Sequence, residues 1–253
     1  GAKDTLVLET TGQLILDHNK LQKADFDNTR PQWVANPTDQ TANVKLVSKN
    51  SQVSIRNNSD VKVGGNIELN GKTNANVSTS DVTSKNGNIK LVGGTKVTIG
   101  NAIDQIEGDT NVITKKGSNL VAKNGNIELI AKGDVKDPMA AQDIRGITVL
   151  HSNLDAKNNT LIANNGDISV QTSNIKATNN NTLTADNGRV GIQNHIEKDG
   201  TVCAGSNVTA GNEFIAPYDQ PGVYERFETV KGEVEIAPGV SVYESFGHCP
   251  GHM

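Results

Sequence analysis

Apolar residues along most of this chain recur at every second position. Ile127 and Leu129 flank Glu128, and Ile168 and Val170 flank Ser169. Period two puts one row of side chains on a buried face and the next in water, so these stretches predict short strands. Turn residues bound them at repeating offsets. Four segments align without gaps: Val82 to Leu91, Leu120 to Leu129, Leu161 to Val170 and Leu183 to Ile192. Each carries Asn-Gly at its centre. A degenerate copy spans Leu46 to Ile55, and a weaker one opens at Val7 to Leu16. The Asn-Gly pairs begin at 86, 124, 165 and 187, with gaps of 38, 41 and 22. A unit of 19 to 22 residues accounts for all three if each long gap holds one further, less regular unit. Second strands within the units are read at Lys96 to Ile99, Asp134 to Lys136 and Asn174 to Lys176.

Such a repeat predicts an all-β solenoid, a right-handed parallel β-helix of about 20 residues per rung. One rung cannot bury its apolar face alone, whereas stacked rungs share a core. Asparagines at equivalent turn positions can stack as hydrogen-bonded ladders. The rival reading, an antiparallel sandwich of Asn-Gly hairpins, does not require gapless recurrence at this spacing.

Three segments break the pattern. Leu21 to Asn43 is a loop insertion holding Phe26, Arg30 and the single Trp, Trp33. An exposed aromatic there suits a sugar or receptor, and a buried one would pack the loop on the scaffold. Asp134 to Gly146 reads as a loop bulging between rungs, or a contact loop. From Pro217 onward Asn disappears and aromatics gather at Tyr218, Tyr224, Phe227, Tyr243 and Phe246. The expected division is therefore residues 1–216 as solenoid and 217–253 as a cap or anchoring tail, since a solenoid end needs covering.

Composition sharpens this picture. Aromatic residues are only 3% of the 253, too few for a thick globular core, while Asn numbers 31 and Gly 25. Both residue types accept left-handed turn conformations. The formal net charge is −4, with both signs evenly spread. No basic stripe suggests a nucleic-acid partner, and no apolar run reaches the length of a membrane helix.

Candidate chemistry is sparse. His18, His151, His195, His248 and His252 lie in no hydrolase or P-loop motif. His248, Cys249 and His252 offer only three ligands where a structural zinc site takes four. Asp104, Glu107 and Asp109 are the nearest approach to an acidic cluster. The chain is therefore expected to be non-catalytic, with no cofactor. Cys203 and Cys249 either form a disulfide, worth about 3 to 4 kcal/mol for a loop of this size, or are two thiols. Asn57, Asn76, Asn158, Asn180 and Asn207 head Asn-x-Ser/Thr sequons, which mark candidate glycosylation sites and also arise by chance in such a composition.

The Asn-Gly-x-Ile rungs at 86–91, 124–129, 165–170 and 187–192 resemble the repeats of filamentous-haemagglutinin-like exoproteins. These include the high-molecular-weight adhesins exported through a dedicated outer-membrane pore, the two-partner system. The resemblance covers residues 1–216. It implies a β-helical stalk at the bacterial surface, the pore and a host or bacterial receptor as partners, and roles in attachment, biofilm or virulence. Gln220-Pro-Gly-Val223 is similar to a stretch near the end of those adhesins. Their paired terminal cysteines lie close together, whereas Cys203 and Cys249 are far apart. Their secretion domain carries Asn-Pro-Asn motifs, and here only Asn36-Pro37 is found, which suggests a fragment or a short relative. Sequons in such adhesins can carry hexoses, which favours Asn57 and Asn158. The leading expectation is an adhesin segment reading its receptor through Trp33, Arg30 and Phe26. A self-assembling fibre subunit, with stacking solenoid ends, and a carbohydrate-active tail spike or lyase are the alternatives.

Overall fold

The computed structural model describes residues 5–17, 33–34, 42–100, 117–136, 144–196, 205–211, 213–215, 233–237 and 240–243, with Gly200 and Cys203. The chain divides into two units, Gly1–Ala216 and Pro217–Met253. All described elements are strands. In the first turn β1 (Thr5–Thr10), β2 (Leu14–Asp17) and β3 (Trp33–Val34) lie on three successive faces. The second repeats them as β4 (Asn43–Ser48), β5 (Val53–Arg56) and β6 (Asp60–Val63), and the third as β7 (Ile67–Gly71), β8 (Asn74–Ser78) and β9 (Asp81–Ser84). After β10 (Ile89–Gly93) and β11 (Lys96–Gly100), β12 (Asn119–Ala131) closes one turn and opens the next without a break. The pattern continues through β13 (Gly146–Leu150), β14 (Asn153–Ala163), β15 (Asp167–Gln171), β16 (Asn174–Ala185), β17 (Val190–Gln193), β18 (Asn207–Ala210) and β19 (Glu213–Ile215).

Every pairing among these strands is parallel. Face 2 is a sheet in the order β17-β15-β13-β11-β8-β5-β2. Faces 1 and 3 merge into one 12-stranded sheet because β12, β14 and β16 bend through the corner between them. The bends show as register shifts between Ala122 and Asn126 and between Ala156 and Asn158. This is a parallel β-helix with three strands per turn. Asp134 to Lys136, expected as a strand, lies outside any strand. In the second unit β20 (Glu233–Ala237) and β21 (Val240–Tyr243) pair antiparallel.

Stacked partners are 21 to 23 residues apart in the shortest turns, as for Ile147 on Ile168, Ile67 on Ile89 and Leu46 on Leu69. Ile89 stacks directly on Ile127, 38 residues on, so the long gap between Asn86 and Asn124 is a single turn with an insertion and holds no second unit. The four aligned segments also occupy two different corners. Those centred on Asn86 and Asn124 join face 3 to face 1, while those on Asn165 and Asn187, with the degenerate copy at Leu46 to Ile55, join face 1 to face 2. Similar strands on either side make the two corners look alike in sequence.

Columns of like side chains fill the interior. Leu8, Leu46, Leu69, Leu91, Leu129, Leu161 and Leu183 stack in register on face 1. From Leu46 onward they are essentially buried. Face 2 contributes Leu16, Ile55, Val77, Ile99, Val149 and Val170. Face 3 adds Val61, Val82, Leu120, Leu154 and Ile175. Full burial of one such side chain stabilises by about 2 kcal/mol. The column Val44, Ile67, Ile89 and Ile127 changes character where Asn159 and Asn181 take over, both fully buried.

Corners are as constrained as the strands. A Cβ on Gly125 would sit 2.0 Å from the Gly87 carbonyl oxygen, so that corner admits no side chain. At the corner from face 2 to face 3, Asn58, Thr79, His151 and Thr172 hold positive φ of 59°, 47°, 48° and 46°. Asn tolerates this region, but β-branched Thr is a strained occupant. Three long connections, 18–32, 101–118 and 194–206, also fall between face 2 and face 3. The insertion at Leu21 to Asn43 therefore begins at this corner. Phe26, Arg30 and the side chain of Trp33 lie outside the described residues; the Trp33 backbone pairs with Val61 in β6.

Two outcomes are expected. Leu129→Ala should cost about 3 kcal/mol in urea unfolding, and a loss under about 1 kcal/mol would show that the column is not a shared core. Thr79→Asn should stabilise by about 1 kcal/mol, read as a higher Tm, because the side chain is placed in a region Asn accepts.

Candidate functional site

Three polar ladders run along the solenoid, and they define its chemistry. The innermost is serine. Ser80 Oγ accepts the backbone N–H of Ser59 at 3.2 Å, Ser118 Oγ that of Ser80 at 3.2 Å, Ser152 Oγ that of Ser118 at 3.0 Å, Ser173 Oγ that of Ser152 at 3.1 Å and Ser206 Oγ that of Ser173 at 3.2 Å. Ser59, Ser80, Ser118, Ser152 and Ser173 are buried. Several hydroxyls donate in turn to backbone carbonyls, such as Ser118 to Val77 at 3.1 Å and Ser152 to Leu150 at 2.7 Å. A hydroxyl both donates and accepts, so it closes a buried corner that a methyl would leave unsatisfied.

The next residue in each turn forms the second ladder. Asn119 Nδ2 donates to Asp81 Oδ1 at 2.6 Å, Asn153 to Asn119 at 2.7 Å, Asn174 to Asn153 at 2.8 Å and Asn207 to Asn174 at 3.0 Å. The sequence therefore carries a second repeat, Ser-Asx-apolar, at Ser59, Ser80, Ser118, Ser152, Ser173 and Ser206. Sequence reasoning passed over it because three residues of common types, at unequal spacing, stand out little beside Asn-Gly.

The third ladder lies at the corner from face 3 to face 1. Asn43 Oδ1 accepts the N–H of Asn66 at 2.7 Å, Asn66 that of Asn88 at 2.9 Å and Asn88 that of Asn126 at 2.8 Å. Asn126 Oδ1 then accepts Asn158 Nδ2 at 2.7 Å. Beside this ladder runs an outward column of alternating charge, Lys45, Glu68, Lys90 and Glu128. Lys45 meets Glu68 at 3.0 Å and Lys90 meets Glu128 at 2.6 Å, all four side chains partly exposed. Such pairs contribute at most about 1 kcal/mol each, but they leave the column electrically balanced. Ladder and column together line a groove of about 570 Å³ from Asn66 to Thr160.

The sequon asparagines fall within these networks. Asn57 Nδ2 donates to Asp17 at 2.9 Å and Asn76 Nδ2 to Gln52 at 3.1 Å. Asn158 and Asn207 donate within their ladders, and the backbone N–H of Asn180 bonds Asn158 Oδ1 at 3.3 Å. The side-chain amides of Asn57, Asn76, Asn158 and Asn207 thus have structural partners. The buried pair Asn159 and Asn181 braces the bend of β14 and β16. Asn159 Nδ2 donates to Asn181 Oδ1 at 2.8 Å and to the Lys176 carbonyl at 2.9 Å, while Asn181 Nδ2 reaches the Thr209 carbonyl at 2.7 Å.

Of the histidines, His151 and His195 meet edge to face with ring centroids 5.2 Å apart. Among the described residues no group of three or more His, Cys, Asp or Glu side chains is placed to hold a metal ion. The Cys203 N–H bonds the His195 carbonyl at 2.8 Å, and its side chain is partly exposed. Cys249, His18, His248, His252 and the acidic group Asp104, Glu107 and Asp109 lie outside the described residues. No family model matches the chain, and neither curated proteins nor solved structures give a significant match.

Removing one rung of the serine ladder should be felt across two turns. Ser118→Ala strands the buried Ser80 N–H and the Val77 carbonyl, with an expected loss of about 1 to 3 kcal/mol. Equilibrium unfolding checks the loss, and faster amide hydrogen exchange at Ser80 checks its cause.

Proposed function

We propose that this chain is a non-catalytic stalk segment of a secreted bacterial surface adhesin, acting in attachment to host cells or other bacteria. One observation carries the reading. Each turn is stacked in register on the next, and corner asparagines and serines bond the turns above and below. A scaffold of this kind grows by adding turns, at about 4.8 Å each, and needs no separate core for each addition. It suits a protein that must hold a binding part away from a cell. The resemblance of the Asn-Gly-x-Ile rungs to filamentous-haemagglutinin-like exoproteins supports the same reading. It brings an outer-membrane pore of the two-partner system as export partner and the cell surface as location. The corner between faces 2 and 3, where three of the four long connections within the first unit depart, is the natural place for receptor contacts.

The test is binding of the purified, labelled chain to epithelial cells and, separately, to bacterial surfaces. Saturable binding to either, competed by unlabelled chain, is the expected result. Binding that never saturates on both surfaces would overturn the adhesive role for this segment.

A further inference from the structure

The groove beside the third ladder has a property that the stalk role does not require. Each ladder asparagine is fixed through its Oδ1, which accepts from the turn above. Its Nδ2 is then directed elsewhere. For Asn66, Asn88 and Asn126, all exposed, the Nδ2 group has no protein partner among the described residues. These three amides and the Asn158 side chain line the groove on four successive turns, with Glu68, Lys90, Glu128 and Thr160 two residues further along each strand. The result is a row of oriented donors on three successive turns, beside two carboxylates, an ammonium and a hydroxyl.

We propose that this groove binds an extended, neutral polysaccharide, its chain running along the solenoid axis. Three features select that ligand. The donors repeat at one turn, roughly 5 Å, close to the advance of one sugar unit in an extended glycan, so successive sugars meet equivalent amides. An extended peptide presents like side chains only every 6.6 Å or so (two residues at about 3.3 Å), and falls out of step within two turns. The charges on the outer column are mutually paired, Lys45 with Glu68 and Lys90 with Glu128, so a polyanion finds no uncompensated positive row. Carboxylates and amides together both accept from and donate to hydroxyls, which a neutral sugar supplies in quantity. Oriented groups held by a ladder lose little freedom on binding. The inference does not depend on the adhesin reading: a stalk without this property would still be a stalk.

The test titrates the full chain with neutral polysaccharides (a β-glucan, a mannan and a galactan), with heparin and with a polyglutamine peptide, by calorimetry. Asn88→Asp and Asn126→Asp keep the Oδ1 acceptor that the ladder needs while removing the donor. Asp167 already serves in that way, accepting the Arg189 N–H at 2.8 Å. Asn50→Asp, at an exposed bend between faces 1 and 2, is the control outside the groove. Binding of at least one neutral polymer is expected, with each groove variant weakened on the order of fivefold for one lost hydrogen bond, the control unchanged and circular dichroism the same for all. Preference for heparin or the peptide, no binding of any neutral polymer, or equal binding by all variants would overturn the proposal.

Discussion

Interior strand positions in this solenoid have their counterparts from the next turn about 4.8 Å away, and that repeat governs which residues they accept. A side chain must tolerate its own kind above and below. Leucine does so by packing, hence the column from Leu46 to Leu183. A charge does not, hence the alternation of Lys45, Glu68, Lys90 and Glu128. Asparagine and serine do so at corners because each carries both a donor and an acceptor. The abundance of Asn therefore reflects stacking geometry as well as turn propensity.

The same rule explains what sequence could and could not convey. Alternation and the apolar faces were legible, because inward residues such as Ile127 and Leu129 sit two apart in every turn. The parallel β-helix followed from recurrence. The count of strands per turn did not, since β14 and β16 pass through a corner with no Asn-Gly of their own: Ala156-Lys157-Asn158 looks like continuous strand. Nor was the identity of the corners legible, because Asn-Gly serves two of them. The buried Asn159 and Asn181 were hidden among neighbouring polar residues, although their place in the isoleucine column is plain once the register is known. Of the candidate binding residues, only the Trp33 backbone falls in the described part, while the groove drew on Asn66, Asn88 and Asn126, each in a Gly-Asn-Ile-x-Leu run that reads in sequence only as a turn leading into a strand.

Structure and function meet in the ladders. The bonds that close the corners also fix the direction of the groups left over, so a stabilising device and a recognition surface use the same residues. Glu68, Lys90 and Glu128 have a similar double role: they keep the outer face of a long sheet balanced and supply polar groups along the groove.

The serine-lined corner has a bearing on how such a chain changes over generations. There the backbone is satisfied from inside, by the Oγ of the following turn, so the length of the segment outside is not dictated by the barrel. Arg56 to Asp60 and Gly100 to Asn119 are both accommodated at that corner. Insertions and deletions in the outer segment can then accumulate without retuning the interior, and whole turns can be duplicated beneath them. The corner works as a splice point where new surface is acquired while the scaffold is inherited unaltered.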